Sequence, residues 1–285
     1  MKEQHKLVSH SPQAIAVTSG KGGVGKTFFS VHLAARAAEQ GRRVLILDAD
    51  LGLANVDVML GLTAKGSIQQ VVEGAAPLHD ILVTGGKGID VLPGGSGLHE
   101  LTSISATQQR LLLDEIDILA GEYDLILIDT PAGIGENVLF FVSSSESVLT
   151  VLTPDPTSLT DAYALIKVLS RQRDVRRFMI AVNQAEETEA QVTFNRLLAV
   201  TDRYLDVSLD YAGYMPVCTA VKSAIRCQSL LYSCASEIYT NSLNRLLDSI
   251  LSRPRDASRS GGLRFFWQRS LSQGLGFQTQ ADTKG

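Results

Sequence analysis

The chain has 285 residues, 45% of them hydrophobic and 20% charged, with a formal net charge of −4. That length suits one large domain or two small ones with an ample buried core, and the mild acidity excludes a molecule-wide electrostatic footprint for nucleic acid. No run is apolar for long enough to span a bilayer, and the polar start Met1–Lys6 lacks the apolar centre of a signal peptide.

Residues 1–13 read as a flexible polar lead. Ala14-Ile15-Ala16-Val17 reads as a short buried strand, and Phe28 to Gln40 as a helix closed by Gly41. Between them, Gly20-Lys21-Gly22-Gly23-Val24-Gly25-Lys26-Thr27 fits the phosphate-binding pattern G-x-x-x-x-G-K-[ST] at every fixed position. A strand, a glycine loop and a helix N-terminus aim backbone N–H groups and the positive end of a helix dipole at one point, which suits two or three phosphates. Lys26 is expected to neutralise β/γ-phosphate charge and the Thr27 hydroxyl to hold Mg2+. Lys21 reads either as a solvated loop residue or as a cation that reaches a nucleotide bound by a facing subunit.

Further along, Arg43–Asp50 is a near-continuous apolar run that ends in acids, followed by the Gly-containing, acid-marked stretch Leu51–Asp57. Residues 67–73 read as a short helix, Gly88–Leu92 as a strand, 105–120 as a helix and Tyr123–Asp129 as the strongest strand in the chain. Two more strands, Ser147–Thr153 and Phe178–Asn183, flank a helix over about 158–170. Helices over about 188–200 and 234–251 enclose a last strand near Tyr211–Met215. Apolar strands alternating with helices predict an α/β fold, a mostly parallel twisted sheet with helices on both faces, over residues 14–251. Ligands on such sheets bind at the strands' carboxyl ends, where the phosphate loop, Asp48, Asp50 and Asp129 all fall.

Asp129 stands where a phosphate-loop protein places the acid that supports Mg2+. The turn expected over Thr130–Gly135 offers the Gly133 N–H as a γ-phosphate sensor. Asp48 and Asp50 lie two apart, so an extended chain points both the same way; one is expected to assist the metal and the other to orient an attacking water. The chemistry expected is phosphoryl transfer from a nucleotide to water, assisted by Mg2+.

Residues 252–262 form a polar linker. Beyond it, in 263–285, Leu263, Phe266, Trp267, Leu271 and Leu275 share one side of a helical wheel beside arginines. That pattern suits an amphipathic helix in a membrane interface, or a segment docked on a partner or on the protein's own surface. The three cysteines, Cys218, Cys227 and Cys234, lack C-x-x-C spacing and suit a reducing compartment, and neither they nor the five histidines suggest a metal centre.

Lys21–Thr27 resembles the deviant Walker A motif of the MinD/ParA ATPases, with Lys21 as the signature lysine. Asp48–Asp57 resembles their first switch, and Asp129–Gly135 their Walker B and second switch. Pro156–Lys167, Asp57–Leu62 and Thr201–Val207 are similar to the branch of flagellar-number regulators, FlhG and FleN. The resemblance covers about residues 13–250. It implies a P-loop fold and an ATP-dependent homodimer that sandwiches two nucleotides and completes each site with Lys21 from the other subunit. It also implies that Thr27, Asp48 and Asp129 serve the metal, that Asp50 positions the hydrolytic water, and that Asp57 and Gly133 act as switch residues. Asn183 is implied to read the adenine, with Pro216 as a further nucleotide contact. The tail would carry Phe266 and Trp267 into the inner face of the cell membrane from the cytoplasm. Implied partners are the flagellar GTPase FlhF, switch-complex proteins and a flagellar transcription activator, with no direct nucleic acid.

Two departures from the family pattern stand out. Residues 1–13 lack the D-Q-A-x-x-L-R segment with which some members stimulate FlhF, and Cys218 stands where an acid commonly follows the proline by two. Septum-placement and plasmid-partition ATPases share the mechanism and differ in partners. A pure anti-activator would capture its target when ATP-bound and use hydrolysis only to reset.

Overall fold

A computed structural model describes residues 12–50, 56–63, 65–66, 70–71, 73–86, 88–93, 119, 122–221 and 236–253. Eight strands form one sheet: β1 (Gln13–Ser19), β2 (Val44–Asp48), β3 (Val83–Gly86), β4 (Ile89–Leu92), β5 (Leu125–Ala132), β6 (Ser147–Leu152), β7 (Arg177–Asn183) and β8 (Ser208–Met215). Their spatial order is β3-β4-β2-β5-β1-β6-β7-β8. Every neighbouring pair is parallel except the β3–β4 edge hairpin. The helices are α1 (Lys26–Glu39), α2 (Val56–Leu60), α3 (Leu78–Ile81), α4 (Glu136–Ser144), α5 (Pro156–Gln172), α6 (Glu187–Tyr204) and α7 (Glu237–Leu251).

The period-two alternation of the central strands sorts their side chains into two cores. Ala14, Ala16, Leu45, Leu47, Ile126 and Ile128 face one layer with Val138 and Val142 of α4, Leu165 and Leu169 of α5, and Phe194 and Leu197 of α6. Ile15, Val17, Val44, Ile46, Leu125 and Leu127 face the other, with Phe29 and Leu33 of α1 and Leu243 and Leu246 of α7. Both faces are covered, which is why these strands read as unbroken apolar runs. From β1 the chain crosses through α1 to β2 on one side; from β5 it crosses through α4 to β6 on the other. Connections diverging on opposite faces open a crevice at the carboxyl ends of β1 and β5, and the glycine loop lies there.

Several boundaries differ from the sequence expectation. The first strand begins at Gln13, inside the expected lead, and α1 begins at Lys26. β5 does not stop at Asp129 but runs on to Ala132, because Ser19 pairs with Ala132 and the Thr130 hydroxyl donates to the Val17 carbonyl at 3.1 Å. Pro131 has no N–H to give and is tolerated where the β1–β5 register slips between Val17 and Ser19. Strand β3 and helices α2, α3 and α4 lie in stretches where the sequence pattern predicts no element. α7 begins at Glu237, where the Ser236 hydroxyl accepts from Tyr239 N–H at 3.3 Å. The expected helix over 105–120, most of that over 67–73, the linker beyond Arg253 and the tail with Leu263, Phe266, Trp267 and Leu271 lie outside the described residues. Among the described residues no helix is long and apolar enough to cross a membrane.

Candidate nucleotide site

Gly23 and Gly25 adopt φ of +78° and +99°, so the loop turns through left-handed conformations that only glycine adopts cheaply. Gly20 is needed for a different reason: a Cβ there would sit 2.1 Å from the Asp161 carbonyl oxygen of α5. Gly22 and Gly23 are exposed, and among the described residues a Cβ built on either would meet nothing closer than the Ala132 Cβ at 4.0 Å. Their backbone therefore borders open space above the start of α1, where a helix dipole favours an anion.

Beneath the loop the charged residues converge. Lys26 is buried, and its Nζ donates to the Ser19 hydroxyl at 3.0 Å. Burial lowers its pKa, while the charges of Asp129 and Asp50 pull it back up. Asp48, the last residue of β2, sits opposite Asp129, three residues before the end of β5. Asp129 is fully enclosed and is pushed up to about 7, first by burial and then by the Asp48 charge; hydrogen bonds from Thr27 and Ser30 and the charge of Lys26 oppose the rise. The Ser30 hydroxyl reaches Asp129 Oδ1 at 3.0 Å. Asp48 accepts from Asp50 N–H and Val56 N–H, both at 3.1 Å, and so ties the end of β2 to the start of α2.

The remaining expected residues surround this centre. Gly133, at φ +96°, donates its N–H to the Ser19 carbonyl at 2.9 Å, so the would-be γ-phosphate sensor is held against the base of the loop. Lys21 Nζ donates to the Thr157 hydroxyl of α5 at 2.8 Å, within its own chain. Asn183 ends β7 and is buried, with Nδ2 donating to the Val24 carbonyl at 2.7 Å. Pro216 is buried just past β8, and Cys218, in the place of the usual acid, packs half-buried against the core. Asp57 lies in the first turn of α2, where it accepts from Val58 N–H at 2.6 Å.

Sequence reasoning missed Ser19, Ser30 and Thr157. Ser30 carried a legible signal, since it lies one helical turn beyond Lys26 on the same face. Thr157 carried none, because its contact spans 136 positions. The protein's donors near the expected metal are all oxygens, from Thr27, Asp48 and Asp129. That hard set fits Mg2+ held mainly by phosphate oxygens and water, rather than a cage built by protein alone.

Residues 12–181 match the family described as an AAA domain, AAA_31. The chain is 42% identical to the antiactivator FleN of Pseudomonas aeruginosa, over 91% of this chain and 94% of that one. It is 34% identical to the flagellum site-determining protein YlxH of Helicobacter pylori, over 90% and 89%. The MinC:MinD cell division protein complex of Aquifex aeolicus superposes with a TM-score of 0.65 at 26% identity, over 87% of this chain and all of that one. On these matches the chain belongs to the MinD/ParA-type P-loop ATPases.

Proposed function

We propose that this chain is an ATP-driven switch that dimerises around two nucleotides and sets flagellar number or placement. One observation carries the reading: Lys26 is buried between the Ser19 hydroxyl and the charges of Asp129 and Asp50, directly below glycines that border open space. Bound Mg2+ would offset the charge that builds on the transferring phosphoryl group. The chain's own residues do the rest. Lys26 exchanges Ser19 for a phosphate oxygen, and Thr27, Asp48 and Asp129 hold the metal's protein side. Asp50 orients the attacking water, and Gly133 leaves Ser19 to meet the γ-phosphate.

Lys21 leaves Thr157 to complete the partner's site, which ties turnover to dimerisation. Large exposed apolar side chains support that docking face. Of seven among the described residues, Val58, Ile134, Val192, Val217 and Ile238 lie toward the nucleotide end of the sheet. The names of the two relatives support a flagellar role, and the word antiactivator supports restraint of a flagellar transcription activator. FlhF and switch-complex proteins are the further partners of this reading, and residues 263–285 are its membrane contact at the cytoplasmic face.

Calorimetry and sedimentation of the full chain test it. Uptake of ATP with Mg2+ is expected, with a dimer that persists in Asp50→Ala and is absent in Lys26→Ala. Absence of ATP uptake, or a hydrolysis-blocked protein that stays monomeric, overturns the reading. Pull-down of a flagellar activator by Asp50→Ala protein then separates target capture from turnover.

A further inference from the structure

Asn183 is tied into the phosphate loop more tightly than a base-reading residue needs to be. Its carboxamide is used twice: Nδ2 donates to the Val24 carbonyl at 2.7 Å, and Oδ1 accepts from Gln184 N–H at 3.0 Å. Gln184 holds a left-handed φ of +57°, which costs a residue with a side chain and is stabilised here by that second bond. The next N–H, of Ala185, donates to the Met215 carbonyl at 3.2 Å, so the turn is braced by the end of β8 as well. On the loop side the fit is close: a Cβ on Gly25 would lie 2.5 Å from Asn183 Nδ2. The carboxamide is therefore wedged between the Val24 carbonyl and the Gly25 α-carbon. A trans peptide is planar, with its C=O and N–H pointing opposite ways. Fixing the Val24 oxygen toward Asn183 turns the Gly25 N–H away from Asn183.

We propose that Asn183 is a positioning residue for the triphosphate. It orients the Val24–Gly25 peptide so that the Gly25 N–H faces the phosphates, and it acts on nucleotides regardless of their base. This rests on reading residues 20–27 as a triphosphate site.

The test is calorimetric, with Mg2+ present, on the full chain and on Asn183→Ala, using ATP, GTP and inorganic triphosphate, which has no base. The expected result is a common loss of affinity, about tenfold for all three, as befits one buried hydrogen bond removed and its carbonyl left unpaired. The ATP-to-GTP preference stays where it was. A loss confined to ATP, with triphosphate binding intact, overturns the proposal in favour of base reading. Unchanged affinities with only a lower Tm overturn it in favour of a purely structural role. Should Asn183→Ala fold poorly, Asn183→Asp keeps the shape and the Gln184 bond while removing the donor; the same uniform loss is expected. Failure of the wild-type chain to bind any of the three would instead sink the nucleotide-site reading itself.

Discussion

Asp129 sets site chemistry against fold stability. Its folded pKa of about 7 lies above the unfolded carboxylate value, so the folded chain keeps a proton that the unfolded chain has released. Stability from this group is therefore present at low pH and falls as pH rises through roughly 4 to 7. Above that window an ionised, enclosed Asp129 strains the ligand-free chain. Asp129→Asn is expected to raise stability at about pH 8 by about 2 kcal/mol, or roughly 5 °C in Tm, with the gain gone near pH 5 and ATP hydrolysis lost throughout. Thermal melts at the two pH values and a phosphate-release assay check this; equal Tm values at high pH would refute it. Lys21 presents the opposite case, a half-buried cation whose Nζ donates to the Thr157 hydroxyl. Thr157→Val removes that acceptor while keeping its size. In an Asp50→Ala background the ATP-bound dimer is expected to tighten by about threefold in sedimentation, whereas Lys21→Ala leaves nucleotide affinity in place and removes the dimer's turnover.

At the scale of elements, α1 couples the phosphate loop to α7 through a stack of rings. His32 packs on Phe28 with centroids 3.8 Å apart, and Phe28 meets Tyr239 of α7 edge-on at 6.3 Å. His32 Nδ1 bonds to the Phe28 carbonyl at 2.8 Å, and Nε2 is buried without a hydrogen-bond partner among the described residues. Burial lowers its pKa to about 4, with the Phe28 carbonyl opposing the fall. The unfolded chain takes up a proton below about pH 6.5 and the folded chain does not, so this contribution is whole above that value and drains away toward pH 4. Denaturant melts are expected to show that acidification from about pH 7.5 to 5 costs the wild type about 2 kcal/mol more than His32→Leu. Parallel profiles for the two proteins would refute it.

Legibility in the sequence follows the same physics. β1, β2, β5, β6 and β7 were plain because burial on both faces leaves long apolar runs. β3 was hidden because an edge strand ending in Gly85-Gly86 has little apolar surface to show. The extension of β5 past Pro131 depends on a hydroxyl and a register shift contributed by β1, which no local pattern encodes. In the site, the loop and the strand-end acids were legible because chemistry fixes their spacing along the chain. Thr157 and the Val24 bond of Asn183 were not, because folding brings those partners together from far apart.

For the whole molecule, the proposed dimer calls on residues that follow the carboxyl ends of the strands. Lys21, Gly133, Ile134 and Val58 follow β1, β5 and β2, which lie side by side, and Val217 follows β8 at the edge of the sheet. Val217 is 67% exposed and Ile134 50%, in a chain whose other large apolar groups are mostly buried among the described residues. Such side chains stabilise nothing in the monomer, so changing one should act on assembly while leaving the fold alone. Ile134→Asp puts a charge one residue beyond the Gly133 that rests on Ser19, outside the buried centre. Its Tm is expected to stay within about 2 °C of wild type and its affinity for ATP within about twofold, because exposed substitutions usually move stability by less than about 0.5 kcal/mol. Its dimer, measured with hydrolysis blocked by Asp50→Ala, is expected to weaken by at least about tenfold, since a carboxylate enclosed without a partner is costly at a docked face. Turnover should fall with dimer occupancy and recover as protein concentration is raised. A variant that dimerises normally yet loses turnover at every concentration would instead assign Ile134 to the chemistry of a single subunit, and would move the docking face elsewhere on the molecule.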